Sequence, residues 1–223
     1  MVSTQSLALE QSRPHPVNVT VQPVVGERNR LTVAFRIVLA LPHLLLVGGP
    51  VAATLFWTWW SEDGLNWAGG GGALGAVAGL AAAIAWFAIL FTGQYPEGLR
   101  SLAALYLRWR VRAVAYTALL TDEYPPFGDG PYPTRLDIAR PGLPRNRVSV
   151  AFRIILAIPH LLALWVLGAA WAVTTLIAWF YILVRARYPH GLYDFGVGVL
   201  RWNTRVEAYL LLLHDEYPPF SLH

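Results

Sequence analysis

Four stretches of this chain are apolar at nearly every position: residues 31–47, 73–91, 148–167 and 169–184. Runs of about 17 to 20 such residues are long enough to cross a ~30 Å hydrocarbon core, so each predicts a helix with no polar face. Residues 15–21 (HPVNVTV) and 132–138 (YPTRLDI) instead alternate apolar with polar between prolines. That period of two predicts short strands outside the lipid, placed to pair with each other. Residues 98–120 and 191–213 carry arginines at helical spacing among Leu, Tyr and Trp. They predict amphipathic helices lying in the inner headgroup plane, because an Arg at the centre of a span costs about 2.5–3.5 kcal/mol on insertion scales.

These elements occur in the same order twice. RNRLTVAFRIVLALPHLL from Arg28 returns as RNRVSVAFRIILAIPHLL from Arg145, and LRWRVRAVAYTALLTDEYPPF from Leu107 returns as LRWNTRVEAYLLLLHDEYPPF from Leu200. A duplicated unit whose copies bury each other's inner faces accounts for this. The expected fold is an all-α integral membrane protein of two tandem repeats, each a transmembrane helical hairpin plus an inner-leaflet amphipathic helix, with a short strand before each hairpin. Residues 1–14 form a polar tail, 15–127 the first repeat and 128–223 the second.

Pro42 and Pro159 should kink the first span of each copy. In the second copy residues 150–184 run apolar almost without a break, which either one long helix or a tight hairpin explains. Arginines stand at both ends of that run (Arg145, Arg147 and Arg153; Arg185 and Arg187), and the positive-inside rule places both ends on one side. This favours a hairpin with its apex at Gly168. In the first copy Glu62, Asp63 and four tryptophans (Trp57, Trp59, Trp60, Trp67) suit an outer loop beside an aromatic belt. Four spans follow, with both termini cytoplasmic, the copies related by a pseudo-two-fold axis along the membrane normal, and the protein in the cell's inner (plasma) membrane.

Composition supports the membrane class: 56% of the 223 residues are hydrophobic and only 13% charged, against roughly 25% charged in soluble domains, and mean hydropathy is +0.44. The first residues offer no cleavable targeting signal. There is no Cys, which rules out disulfides and thiolate chemistry. No phosphate-cradling loop, dinucleotide fingerprint, zinc-binding His-Glu-x-x-His or nucleophile elbow is present. No cofactor, no metal and no enzymatic activity are therefore expected. The basic residues cluster beside apolar spans, so anionic lipid explains them better than nucleic acid.

Arg36 and Arg153, inside the first spans, and Arg100, Arg108, Arg112, Arg201 and Arg205, on the amphipathic helices, are the candidate lipid-headgroup ligands. His43 and His160 follow the helix prolines at equivalent positions. Ionisable groups at that depth are candidates for proton relay or polar-ligand binding, and otherwise bond a carbonyl freed by the proline or bridge the bundle. The DEYPPF motif recurs with Asp122, Glu123 and Tyr124 and with Asp215, Glu216 and Tyr217. Its carboxylates suit pairing with arginines of the other copy, leaving Tyr-Pro-Pro-Phe as a rigid docking tail. The YPxGL turns, at Tyr95 and Tyr188, combine an extended residue before Pro with a glycine free to take positive φ. Gly71, Gly75 and Gly79 form a small-residue stripe in the first copy only, suited to close packing or to a partner subunit.

The doubled pattern of FR-x-x-L-A-x-PH-L-L, YPxGL, LRW and DEYPPF resembles an uncharacterised bacterial membrane-protein family, domain of unknown function 4389. The resemblance covers residues 15–220 and implies a tandem arrangement of this domain; it implies no activity. The function expected is a non-enzymatic multi-pass membrane protein that binds anionic lipid headgroups, or a partner membrane protein or second copy, through paired Arg/Trp helices. The alternative is a small transporter or lipid-handling protein with a pathway at the repeat interface near His43 and His160.

Overall fold

A computed structural model describes residues 15–24, 27–49, 71–141 and 145–223. Both alternating segments are strands, β1 (Val17–Val21) and β2 (Thr134–Ile138), and they pair antiparallel within the chain with Val19 opposite Leu136. Val17, Val19, Thr134 and Leu136 point inward, while Asn18, Thr20, Arg135 and Asp137 are exposed, so the alternation separates a dry face from a wet one.

The helices are α1 (Arg30–Ala34), α2 (Arg36–Val47), α3 (Gly72–Thr92), α4 (Glu97–Thr117), α5 (Arg147–Ala151), α6 (Arg153–Arg185) and α7 (His190–Leu210). Asn29 and Asn146, the middle residues of the two RNR triplets, cap α1 and α5: Asn29 Oδ1 accepts from the N–H of Leu31 and Thr32, and Asn146 Oδ1 from that of Ser149.

The hairpin expected at Gly168 is absent. Helix α6 runs unbroken for 33 residues, about 50 Å at 1.5 Å per residue. Gly168 is buried within it, and its neighbours Leu167, Ala169 and Ala170 favour helix. One interior glycine costs about 1 kcal/mol, less than opening a turn whose backbone groups nothing nearby would satisfy.

The first copy builds the same rod in two pieces. Helices α2 and α3 have 12 and 21 residues, together the length of α6. Val47 and Gly72 occupy the positions of the consecutive Leu164 and Trp165, so α2 and α3 together correspond to one continuous helix of the second copy. The broken ends stay in contact: a Cβ on Gly72 would lie 2.6 Å from the carbonyl carbon of Leu46. Helix α2 alone, at ~18 Å, is too short to cross a bilayer. Trp57, Trp59, Trp60, Trp67, Glu62 and Asp63 lie outside the described residues. Helices α3 and α6 are long and apolar enough to cross a membrane.

Helices α4 and α7, expected in the headgroup plane, form the centre of the fold. Helix α4 packs along α2 and α3, α7 along α6, and the two touch each other beneath the strand pair. Their buried faces include Ala103, Leu107, Val111 and Ala115 in α4 and Val199, Leu200, Val206 and Ala208 in α7. Their arginines face protein partners, which removes the need for a headgroup layer.

The two halves exchange contacts reciprocally. Trp86 Nε1–H donates to the Val150 carbonyl at 2.9 Å, and its counterpart Trp179 donates to the Val33 carbonyl at 2.9 Å. Tyr95 O–H donates to the Leu211 carbonyl and Tyr188 to that of Ala118. In the YPxGL turns Gly98 and Gly191 are helical; the positive φ falls five residues earlier, at Gly93 (74°) and Ala186 (54°), which end the rods. A left-handed Ala costs about 1–2 kcal/mol. Ala186→Gly should therefore raise the melting temperature in detergent by about 2–4 °C per kcal/mol recovered, which differential scanning fluorimetry will read.

Candidate functional site

The most constrained polar groups are two equivalent clamps, one in each copy. Asp122 Oδ1 accepts from Arg28 at 2.8 Å and Arg36 at 2.7 Å. Asp215 accepts from both Nε and Nη2 of Arg145 at 2.7 Å and from Arg153 at 2.9 Å. The remaining donors go to backbone carbonyls where α4 and α7 end: Arg28 to Leu119 and Arg36 to Thr121, Arg145 to Leu212, Arg153 to Tyr209 and His214. Arg36 and Arg153 also lie over the rings of Tyr116 and Tyr209, at 4.1 and 4.3 Å. Burial alone would raise the pKa of Asp215, but hydrogen bonds and charge from Arg145 and Arg153 outweigh it and hold the carboxyl below its ordinary value.

The clamps correct two expectations. Arg36 and Arg153, each 1% exposed, do not reach toward headgroups; a carboxylate and several carbonyls satisfy them inside the protein. The aspartates pair with arginines of their own copy, because the chain returns from α4 and α7 to the start of its own rod. Glu123 and Glu216 remain exposed.

The other expected headgroup ligands are engaged as well. Arg112 donates to the Gly128 carbonyl at 2.7 Å and Arg205 to that of His223 at 2.6 Å. Arg108 pairs with Asp129 at 3.1 Å, Arg100 with Glu97 at 3.7 Å, and Arg201 donates to the Val19 carbonyl.

The DEYPPF tails close over the histidines. His43 accepts from Trp109 Nε1–H at 2.9 Å, stacks on Phe127 at 4.5 Å and meets Tyr124 edge-on at 5.0 Å. His160 repeats this with Trp202 at 3.2 Å, Phe220 at 4.0 Å and Tyr217 at 4.7 Å. Because Nδ1 accepts in both, each ring is neutral with its proton on Nε2. Tyr217 O–H donates to the Leu156 carbonyl in the turn before Pro159. Each histidine is thus enclosed by its own copy's tail and bonds across the bundle.

A third polar group breaks the symmetry. Arg110 pairs with Glu207 at 2.9 Å and donates to the Val47 carbonyl at 2.6 Å, while Tyr106 O–H donates to Glu207 at 3.0 Å. The equivalent positions hold Asn203, Val114 and Val199, so this cluster exists once and ties α4 to α7. Lying outside the doubled motifs, it has as its signal in the sequence a single Glu within RVEAYLLLL. Two glycines of the stripe serve the same cluster, since a Cβ on Gly71 or Gly75 would come within 2.6 or 3.0 Å of the Tyr106 hydroxyl, whereas Gly79 is exposed with nothing within 4 Å. The close approach is to Tyr106 of the same chain.

What remains turned outward is apolar surface with a basic border. Only 28% of the apolar window of α3 and 22% of that of α6 is buried, in a narrow stripe that includes Ala78, Ala85 and Ile89 and, in α6, Ala157, His160, Leu164, Trp171, Ala178 and Ile182. At the rod ends Arg30, Arg147, Arg185 and Arg187 are exposed and, among the described residues, none forms an ion pair.

The family described as Domain of unknown function (DUF4389) matches residues 70–128 and 147–221. The chain belongs to the DUF4389 family. The two matched segments fit two copies of the domain, and in DUF4389 terms each runs from the rod to the DEYPPF tail, with both clamp aspartates inside the matches. No curated protein and no solved structure matches the chain.

Proposed function

We propose that the chain is a non-catalytic protein of the plasma membrane that binds anionic phospholipid through the outer faces and basic ends of its rods. The observation that carries this is the bare apolar surface of α3 and α6. A core helix of a soluble protein is mostly buried, and apolar helices with only 28% and 22% of their apolar windows buried find a favourable neighbour in lipid. The reading moves headgroup contact from the amphipathic helices to Arg30, Arg147, Arg185 and Arg187, since the arginines of α4 and α7 are engaged within the protein. Asp122 and Asp215 are each matched to two guanidinium groups, so neither is free for acid or base work. The burial of His43 and His160 beneath separate tails makes transport the less supported reading.

Each Lys or Arg near an anionic surface contributes about 1 kcal/mol. Native mass spectrometry of detergent-purified protein should therefore show retained anionic phospholipid, and flotation should favour vesicles containing phosphatidylglycerol over phosphatidylcholine alone. Both preferences should fall by orders of magnitude in R30Q/R147Q/R185Q/R187Q. Equal binding of that variant to both vesicle types at the level of the native chain would overturn the headgroup assignment.

A further inference from the structure

An antiparallel strand pair has its two-fold axis perpendicular to the sheet, and here the axis passes between Val19 and Leu136, which are equivalent residues of the two copies. The reciprocal bonds of Trp86 with Val150 and Trp179 with Val33 show the same operation relating the rods. A two-fold rotation leaves height along its axis unchanged, so Arg28 and its counterpart Arg145 stand at one level. Arg28 N–H donates to the Ala186 carbonyl at 2.8 Å, which brings Ala186 to that level too. Nearer the helix itself, Val150 stands just before α6 and is the counterpart of Val33, whose carbonyl Trp179 near the other end of α6 bonds, while Ala186 ends it. A helix about 50 Å long therefore begins and ends at the same height, and it runs across the axis instead of along it.

The outer face of the strand pair, which the axis crosses at right angles, carries exposed Asn18, Thr20, Arg135 and Asp137. With the axis in the membrane plane this face would meet hydrocarbon, where Arg and Asp are costly. With the axis along the membrane normal the face meets water and both rods lie parallel to the surface. The charges agree: Arg30, Arg185 and Arg187 stand where the start of one rod meets the end of the other, and Arg147 stands at the opposite meeting point, against Gly93. Both ends of the long apolar run thus lie on one side, as the positive-inside rule requires, without a hairpin.

Resting on the membrane reading above, we propose that the protein is monotopic. Its two rods lie within one leaflet of an anionic bilayer, with acyl chains against their outer faces. Arg30, Arg147, Arg185 and Arg187, which mark the start of the first rod and both ends of the second, reach the headgroups of that leaflet, and the strand pair faces the water beyond them. The apolar helices are long enough to span, but the symmetry of the fold lays them flat.

The absence of cysteine makes single-cysteine labelling clean. N18C, R147C, R187C and, as a mid-rod control, V166C are expressed and probed with a membrane-impermeant maleimide in sealed right-side-out and inside-out vesicles. The expected result is that positions 18, 147 and 187 react from the same side only and position 166 from neither. Reaction of 147 and 187 from opposite sides means that α6 crosses the bilayer and overturns the proposal. R30C and Q94C, which flank the first rod, give an independent reading with the same criterion should the 147 variant fail to fold. Release of the native chain from membranes by alkaline carbonate would instead overturn the membrane reading itself, a failure distinct from opposite-side labelling.

Discussion

Asp215→Asn should cost about 3–5 kcal/mol, the range found when one partner of a buried ion pair is removed. The substitution keeps the shape of the side chain and takes away the charge facing two guanidinium groups, Arg145 and Arg153. Arg153 is buried against the Tyr209 ring and two carbonyls, with no route to water, and cannot shed its proton. An uncompensated charge in that position must rearrange the end of α7, the tail and the start of α6 together, because all three supply its partners. Thermal unfolding in detergent should shift down by about 6–20 °C for a chain of this size. Asp122→Asn should behave alike through Arg28 and Arg36. Conversion of the exposed acid next to it, Glu216→Gln, should change little. If Asp215→Asn and Glu216→Gln gave the same small shift, the clamp would not be the anchor that its geometry indicates.

The clamp explains how much of this fold was legible in the sequence. The repeated RNR, FR and DEY motifs are the pieces of one device: Asn29 and Asn146 cap short helices, Arg28 and Arg145 hold the aspartates, Arg36 and Arg153 complete the pairs, and Arg30 and Arg147 stay outside. Their recurrence at fixed spacing identified the residues, and alternation identified the strands, because both signals are local. The partner of each arginine was not local. A buried guanidinium and one that reaches a phosphate look the same in a sequence: an Arg in an apolar helix, with its carboxylate more than sixty residues away.

Two larger errors share a cause. Hydropathy measures whether a segment avoids water, and it does not distinguish lipid from protein or a crossing helix from a flat one. The arginines of α4 and α7 imply an interface in a scale that assigns every charge to solvent, whereas in the fold those arginines meet Glu207, Asp129 and carbonyl oxygens. The length of the 33-residue rod fits one long helix or a hairpin, and arginines at both of its ends favour the turn at Gly168 only if the rod is taken to cross the bilayer. Comparison of the copies supports the single helix: α2 ends at Val47 and α3 begins at Gly72, the positions at which the second rod continues from Leu164 to Trp165.

Acid should unfold the protein through a pair of histidines, His214 buried and His15 half-buried, that the first copy lacks. His214 is fully enclosed, with its Nε2 near the Arg205 carbonyl, the His15 ring edge-on at 5.1 Å and Tyr209 at 6.0 Å. Burial first, then the neighbouring His15 and Arg153, depress its pKa from 6.5 to about 3, with Asp215 and the Arg205 carbonyl opposing; His15 is lowered too, mainly by burial, with Arg205 adding to it and Glu216 opposing. A base depressed in the folded state binds its proton more readily when unfolded. Stability is therefore complete above pH 6.5 and falls as the pH drops, by up to about 1.4 kcal/mol per unit for His214, until it too protonates near pH 3. Asp215 acts lower: its folded pKa is depressed, so its contribution holds above the ordinary carboxylate value and is lost only as pH falls through the folded one. The window between pH 6.5 and 4 accordingly reports on the histidines. The first copy places Tyr132 and Thr121 at the equivalent positions, with Tyr132 O–H donating to the Glu123 carbonyl, so H15Y/H214T installs a pair that does not titrate there. Denaturant unfolding of native and substituted protein at pH 7, 5.5 and 4 should give curves that diverge as the pH falls, the native chain losing more. Parallel loss in both would place the acid sensitivity elsewhere and leave the histidine pair without a part in it.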